Sequence, residues 1–147
     1  KESMADESYD KSATPATRKK ASRESKAQFQ AAIDAYTQAI ELGAPEQDEV
    51  LGSRAECYAS IGQMQKALED ATAAVELNDE SDSWLILQGQ IYYAMGKSKE
   101  AKNSFLEARD INKEIQPQDD GVLRQKQTID AMLEMIADHP WEPPAFD

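Results

Sequence analysis

The side chains best suited to catalysis are scarce in this 147-residue sequence. His139 is its one imidazole and stands beside Pro140, where a helical pattern ends and the helix dipole favours a cation. Cys57 is its one thiol, and the neighbouring Glu56 opposes the thiolate that a reactive cysteine needs. One histidine and one cysteine are too few for a zinc site, and a lone cysteine forms no internal disulfide. We expect no catalytic residue, no metal and no cofactor.

Carboxylates are abundant, but their spacing is not that of a catalytic or metal site. The 28 acidic residues include adjacent pairs such as Asp48-Glu49 and Asp119-Asp120, and no group of them is spaced as in a calcium-binding loop. The six glycines do not cluster into a phosphate-binding loop. The sequence therefore predicts a protein that is not an enzyme.

The net charge is −12, with 28 acidic against 16 basic residues. Because nucleic acid phosphates require a basic face, this charge predicts that nucleic acid is not a partner. No apolar run approaches the roughly 18 residues of a membrane helix, and the first 30 residues hold no apolar stretch of signal-peptide length. We expect no membrane span and a cytoplasmic location.

The charge is unevenly distributed along the chain. Residues 1–27 carry seven basic and five acidic side chains, whereas residues 28–147 carry nine and 23. Residues 1–14 contain no Leu, Ile, Val or Phe and are expected to form a disordered tail. The basic run 18–23 is interpreted as a solvated part of a frayed helix, with a basic interaction arm or a phosphorylation site at Ser22 as alternatives.

An internal period of 34 residues organises the middle of the chain. Nine positions are matched at this spacing: Leu51, Ala55, Tyr58, Gly62, Ala67, Ala71, Ala74, Leu77 and Asn78 correspond to Leu85, Gly89, Tyr92, Gly96, Ala101, Phe105, Ala108, Ile111 and Asn112. Small residues suit close helix packing, and the two matched turn glycines accept the positive φ of a helix end. The pattern predicts helices at about 47–60, 64–78, 82–95 and 98–115.

These residues resemble the tetratricopeptide repeat family, whose 34-residue helix-turn-helix unit reads W-x2-L-G-x2-Y, then A-x3-F and A. Gly89-x2-Tyr92 and Ala101-x3-Phe105 match this pattern, whereas Gln88 occupies a slot that usually holds Leu. The resemblance implies an all-α, TPR-like helix-turn-helix superhelix.

The first unit is incomplete, because the inward slots of a helix over residues 15–26 would hold Ala16, Lys19, Lys20 and Arg23. One long opening helix that ends near Leu42 is the simpler interpretation. The predicted domain spans residues 15–137 and contains about two and a half repeats, with complete units at 48–81 and 82–115. Because repeat proteins of this kind usually need about three units for stability, we expect either marginal stability or self-association.

Beyond the repeats, an amphipathic capping helix is predicted over residues 119–137. Its apolar residues recur at helical spacing and are Val122, Ile129, Met132, Leu133 and Ile136. Residues 138–147 form a Pro/aromatic C-terminal tail, in which Trp141 and Phe146 either fold back on the cap or form a linear motif for another protein.

In the family, the concave wall comes from the first helix of each pair. Carried onto this sequence, the resemblance implies these partner-binding residues: Glu49, Ser53, Glu56, Ser83, Ile86, Leu87, Gln90 and Tyr93. Such a wall suits a neutral or basic peptide, held by the acids through charge and by the apolar residues through burial. The alternative is that Ile86 and Leu87 simply pack on neighbouring helices.

A subset of the family grips the acidic C-terminus of Hsp90 or Hsp70 with Lys, Asn and Arg in a carboxylate clamp. Here Ser53 stands in the Asn slot, and Ser83 and Leu87 stand in the Lys and Arg slots of the following unit. Because Glu56 would also repel a carboxylate, we expect the clamp to be absent.

The sequence therefore predicts a non-enzymatic adaptor that binds a peptide or helix of a partner protein in a partly acidic groove. Two alternatives stay open, an acidic chaperone-like binder of a basic client and a structural subunit of a larger assembly.

Overall fold

The computed structural model describes residues 15–138 of the chain, apart from the side chains at positions 15, 17, 18 and 21. Its helices are α1 (Pro15–Glu41), α2 (Gln47–Ser60), α3 (Met64–Leu77), α4 (Asp82–Ala94), α5 (Ser98–Asn112) and α6 (Asp120–Asp138). The described residues contain no strand, and the predicted all-α class is confirmed. The two predicted tails lie outside the described residues, except that Asp138 closes α6.

The turns between paired helices are built on glycine, as predicted. Gly62 and Gly96 have φ values of +84° and +82°. After Gly62, the amide of Gln63 donates to the carbonyl of Tyr58 at 2.9 Å, and the equivalent bond after Gly96 is made at 2.8 Å. These bonds satisfy carbonyls that the end of a helix leaves unpaired. Each glycine therefore ends one helix and returns the chain for the next.

The helices pack in chain order. Pairs α2–α3 and α4–α5 make the two complete repeats, α1 packs on α2, and α6 packs on α5. Helix α1 is unbroken from residue 15 to residue 41. It anchors through Ile33, which is 3% exposed, whereas residues 22–31 are all exposed.

Buried side chains form two clusters. The first-repeat core joins α2, α3 and α4 through Ala55, Ala67, Ala71, Leu87 and Ile91. The cap-side core joins α4, α5 and α6 through Leu85, Ile86, Ala101, Phe105, Ala108, Ile129 and Ile136. In the cap-side core a Cβ at Gly89 would lie 2.8 Å from the ring of Phe105. Gly89 therefore packs directly against the aromatic ring of Phe105, and a larger side chain would not fit there.

A polar link repeats with the period of the sequence. In the first repeat Arg54 donates to the Asp70 carboxylate at 2.7 and 2.9 Å and to the Thr37 hydroxyl at 3.1 Å. Thirty-four residues later, Gln88 accepts from the Ser104 hydroxyl at 2.8 Å and donates to Thr72 at 3.2 Å. Each link ties the first helix of a repeat to its partner and to the preceding helix, which explains why the usual Leu is absent from this slot.

A second repeated bond joins the start of each repeat to its end. The side-chain amide of Asn78 donates to Asp48 at 3.2 Å, and that of Asn112 donates to Asp82 at 2.9 Å. The indole of Trp84 also donates to Asp48 at 3.0 Å, which connects the two repeats. The period of 34 therefore extends from the apolar pattern to the hydrogen bonds.

Candidate functional site

A concave groove lies between α1, α2 and α4. This central groove encloses a cavity of about 480 Å³ and is lined by Phe29, Tyr36, Ser53, Glu56, Cys57, Ala59, Ser60, Leu87 and Gln90. Helix α2 contributes mainly small side chains to it, whereas α1 contributes two aromatic rings and α4 contributes Leu87 and Gln90.

The walls of the central groove are apolar and aromatic. Phe29 is 37% exposed and Tyr36 is half-buried, both on α1. Leu87 on the opposite wall is 9% exposed and belongs to the first-repeat core, which holds it in place. The central groove therefore combines the accessible ring of Phe29 with the more buried side chains of Tyr36 and Leu87.

The polar chemistry of the central groove is acidic. Glu56 is exposed at its rim. Burial and the charge of Glu56 together raise the pKa of the Cys57 thiol above its ordinary value. Cys57 therefore stays protonated at neutral pH, where the thiol form is a poor nucleophile.

Two smaller cavities adjoin the central groove. The basic-end cavity, of about 240 Å³, shares Phe29 and Ser60 with it and adds Ser22, Ser25, Lys26 and Ile61. The acidic-end cavity, of about 300 Å³, shares Ser53 and adds Asp48, Glu49, Asn78, Ser81, Ser83 and Trp84. Hydrogen bonds from Trp84 and Asn78 lower the pKa of Asp48, so this carboxylate stays charged. We call the three together the three-part groove.

The structure divides the eight predicted wall residues into three groups. Ser53, Glu56, Leu87 and Gln90 line the central groove. Glu49 and Ser83 line the acidic-end cavity, where the Ser83 hydroxyl accepts a 2.8 Å bond from Gln125 of α6.

Ile86 and Tyr93 form the third group and pack in the cap-side core. Ile86 is 6% exposed, because residues of α6 cover this face of α4. For Ile86, packing on neighbouring helices is therefore what the structure shows, and a role of either residue in partner binding stays a prediction.

Phe29 and Tyr36 were missing from the predicted wall. The resemblance directs attention to the first helix of each pair, whereas α1 occupies the place of a second helix. One signal was available in the sequence, since Phe29 and Tyr36 are seven residues apart and so share a helix face. Phe29 is also the only large apolar residue among positions 15–32.

Two larger cavities lie beside the segment that joins α5 to α6. One, of about 500 Å³, lies between the starts of α4 and α6, and the other, of about 590 Å³, is bordered by Asp79, Glu80, Asp110 and Glu114. Neither has an aromatic lining residue. Within residues 15–138, no cluster of three His, Cys, Asp or Glu side chains could hold a metal ion, and no helix is long and apolar enough to cross a membrane.

Comparison with known proteins gives a consistent family assignment. The tetratricopeptide repeat family model matches residues 85–115. The heat-shock protein cognate (HSC) co-chaperone sgt12 of Aspergillus fumigatus is 34% identical over 121 residues, which is 82% of this chain and 34% of that protein. Outer dynein arm-docking complex subunit 4 of Xenopus laevis is 32% identical over 71 residues, which is 48% of this chain and 13% of that protein. The chain thus spans about a third or less of the length of these relatives.

The fold has a solved counterpart. The crystal structure of the Sgt2 TPR domain from Aspergillus fumigatus superposes with a TM-score of 0.56 at 29% sequence identity, covering 91% of this chain and 89% of that one. The repeated helix pairs, the glycine turns and these likenesses agree. The chain belongs to the tetratricopeptide repeat family.

Proposed function

We propose that this chain is a non-enzymatic adaptor whose central groove binds a peptide or helix of a partner protein. The observation that carries the proposal is the exposed ring of Phe29, placed beside Tyr36 and opposite Leu87 in one concave surface. Peptide-binding sites are commonly grooves with an aromatic anchor and a few polar groups at the rim. Glu56 at this rim favours a neutral or basic ligand.

Selection from random sequences tests the proposal even though the partner is unidentified. Random 12-residue peptides displayed on phage are selected on the chain, and the Kd of enriched peptides is measured by fluorescence polarisation. Phe29→Ser should weaken binding about tenfold, because it removes the exposed anchor. Glu56→Lys should weaken the binding of basic peptides several-fold, because it reverses the rim charge.

Matched controls are present on surfaces away from the central groove. Leu123 on α6 is 42% exposed, similar to Phe29, and Glu107 on α5 is exposed like Glu56. Leu123→Ser and Glu107→Lys should leave the Kd unchanged. Peptides that bind all four variants equally would contradict the proposal.

The name of one relative, a co-chaperone of a heat-shock cognate protein, makes the acidic C-terminus of such proteins a ligand to test. Ser53, Ser83 and Leu87 supply no positive charge in the clamp slots, and Leu87 is buried. We predict that a peptide ending in EEVD does not bind, since Glu49 and Glu56 repel it. Low-micromolar affinity in a calorimetric titration would overturn this prediction.

Salt separates the adaptor from the alternative of an acidic binder of basic clients. Capture dominated by exposed charge weakens sharply between low and physiological salt, whereas burial of apolar groups does not. A structural subunit would instead expose apolar surfaces that drive assembly, and sedimentation velocity would reveal that association. The cytoplasmic location and the self-association stay predictions.

A further inference from the structure

We infer that the three-part groove takes a partner segment with acidic residues at one end, apolar residues in the middle and basic residues at the other end. The inference rests on the proposed function and adds the charge pattern and orientation of the ligand. It follows from how the three cavities are joined and from which charges border each of them.

The three cavities form one continuous path. The basic-end cavity and the central groove share Phe29 and Ser60, and the central groove and the acidic-end cavity share Ser53. Along α2 the path runs from Ser60 back to Glu49. Eleven residues of helix measure about 16 Å at about 1.5 Å per residue. An extended segment of about five residues, at roughly 3.3 Å each, covers this distance.

The first end of the path is basic because of the front of α1. Lys26 lines the basic-end cavity, and Lys19 lies seven residues earlier on the same helix face; both are exposed. Glu24 is the only acid among residues 15–31, and two residues before Lys26 it lies about 200° around the helix. The acid therefore does not neutralise the face that carries the two lysines.

The opposite end of the path is acidic. Glu49 is exposed on the acidic-end cavity, and Asp48 beside it is held by Trp84 and Asn78. Within the described residues, neither Lys26 nor Glu49 takes part in an ion pair. Both charges are therefore available to a ligand, and they lie at opposite ends of the central groove, which holds Phe29, Tyr36 and Leu87 together with Glu56.

Charge complementarity commits the three-part groove to one kind of occupant. A uniformly acidic segment meets Glu56 and Glu49, and a uniformly basic one meets Lys26 and Lys19, so each suffers repulsion at one end. A segment with separated charges avoids repulsion at both ends of the three-part groove, and its apolar middle lies along the central groove that Glu56 borders. Its acidic end then lies near Lys26 and its basic end near Ser83, whichever direction its backbone runs.

Synthetic peptides test this inference directly. Three peptides share one apolar centre of leucine and phenylalanine: the first has two glutamates at one end and two lysines at the other, the second alternates these charges, and the third has serines in their place. By fluorescence polarisation the first should bind about three- to tenfold more tightly than the other two, and the serine peptide should still depend on Phe29.

Orientation is measured with a nitroxide on either end of the charge-separated peptide. A label at the glutamate end should broaden the amide signals of Ser60 and Ile61, and one at the lysine end those of Ser81 and Ser83. Lys26→Glu or Glu49→Lys alone should weaken binding several-fold. The double variant Lys26→Glu with Glu49→Lys should restore the affinity and exchange the two broadening patterns.

The outcomes distinguish this inference from the function on which it rests. Equal affinities for the three peptides, or broadening that does not exchange in the double variant, would overturn the charge pattern and leave groove binding intact. Failure of all three peptides to bind, including the uncharged one, would contradict both this inference and the proposed function.

Discussion

The two complete repeats use equivalent positions for different purposes. In the first, α2–α3, the polar link is the ion pair of Arg54 and Asp70, and the aromatic slot of the family holds Ala71. In the second, α4–α5, the link is the neutral pair of Gln88 and Ser104, and the same slot holds a fully buried Phe105. At this matched slot the first repeat therefore buries a small side chain and the second a large one.

This difference shows how a short repeat domain divides its tasks. The second repeat and α6 enclose the larger cluster of aliphatic and aromatic side chains, so the cap-side core should supply most of the stability. The first repeat presents Ser53, Ala59 and Ser60 along α2, and these small side chains leave room for the central groove. The first repeat therefore contributes most of the small residues of the central groove, whereas the second repeat contributes Leu87 and Gln90 to it and most of the cap-side core.

The strongest test of this division converts the second repeat towards the first. Phe105→Ala places in α5 the residue that α3 has at the equivalent position. We expect the free energy of unfolding to fall by about 3–5 kcal/mol, because the ring is 0% exposed and fills the space beside Gly89. Urea unfolding followed by circular dichroism measures this change.

The matched control is Phe29→Ala in the first half of the molecule. Its ring is 37% exposed, so the variant should lose less than about 1 kcal/mol while it weakens peptide binding. Equal losses for the two phenylalanines would contradict the idea that the second repeat holds the core.

The next largest difference should be in the stability that is lost when the polar link of each repeat is broken. Asp70→Ser leaves the Arg54 cation, whose side chain is only 18% exposed, without its carboxylate, and should cost about 2 kcal/mol. Ser104→Ala removes one neutral hydrogen bond from Gln88 and should cost about 1 kcal/mol. Adding Arg54→Gln to Asp70→Ser copies the neutral link and should recover part of the loss. A double variant less stable than Asp70→Ser alone would show that the two links are not interchangeable.

The smallest expected effect is the pH dependence of stability that arises from Asp48, the carboxylate that accepts the Trp84 bond between the repeats. Hydrogen bonds from Trp84 and Asn78 lower the pKa of Asp48 in the folded state, so Asp48 stabilises the fold above its unfolded pKa of about 3.9. This contribution is lost as the pH falls through the lower folded pKa. Asp48→Asn should therefore reduce stability by less than about 1 kcal/mol at pH 7, and the difference from wild type should close in strong acid.

Thermal unfolding at pH 7 and at pH 2 to 3 measures this dependence. Glu107→Gln serves as the control, since Glu107 is exposed on α5, and its difference from wild type should stay small at both values. A difference for Asp48→Asn that does not change with pH would refute the assigned role of the carboxylate charge.

Much of the fold was predictable because its signals are local. The 34-residue period, Gly62 and Gly96 predicted the paired helices and their turns, and both glycines have the expected positive φ. The absence of apolar slots before Gln28 predicted one long opening helix, which is observed as α1. Helix periodicity and turn chemistry depend on residues a few positions apart, so they can be predicted without knowing which helices pack together.

The candidate site was only partly predictable, because it depends on which helix covers which face. The apolar residues Ile86 and Leu87 look alike in sequence, yet α6 covers Ile86 whereas Leu87 borders the central groove. Phe29 lies in a polar stretch, and only the packing of the helices brings it into one cavity with the last turns of α2 and the middle of α4.

By itself the sequence determined the helical repeat, the acidic balance and the lack of cations in the clamp slots, since these are properties of residue type and spacing. Only the tertiary structure showed that Phe29 and Tyr36 line the central groove and that Ile86 packs in the cap-side core. It also showed that Arg54 and Gln88 make equivalent polar links between the two helices of their repeats. These outcomes depend on contacts between residues distant in the chain. Whether a helix face is buried depends on the helix that packs against it, and the residue pattern of that face does not reveal this.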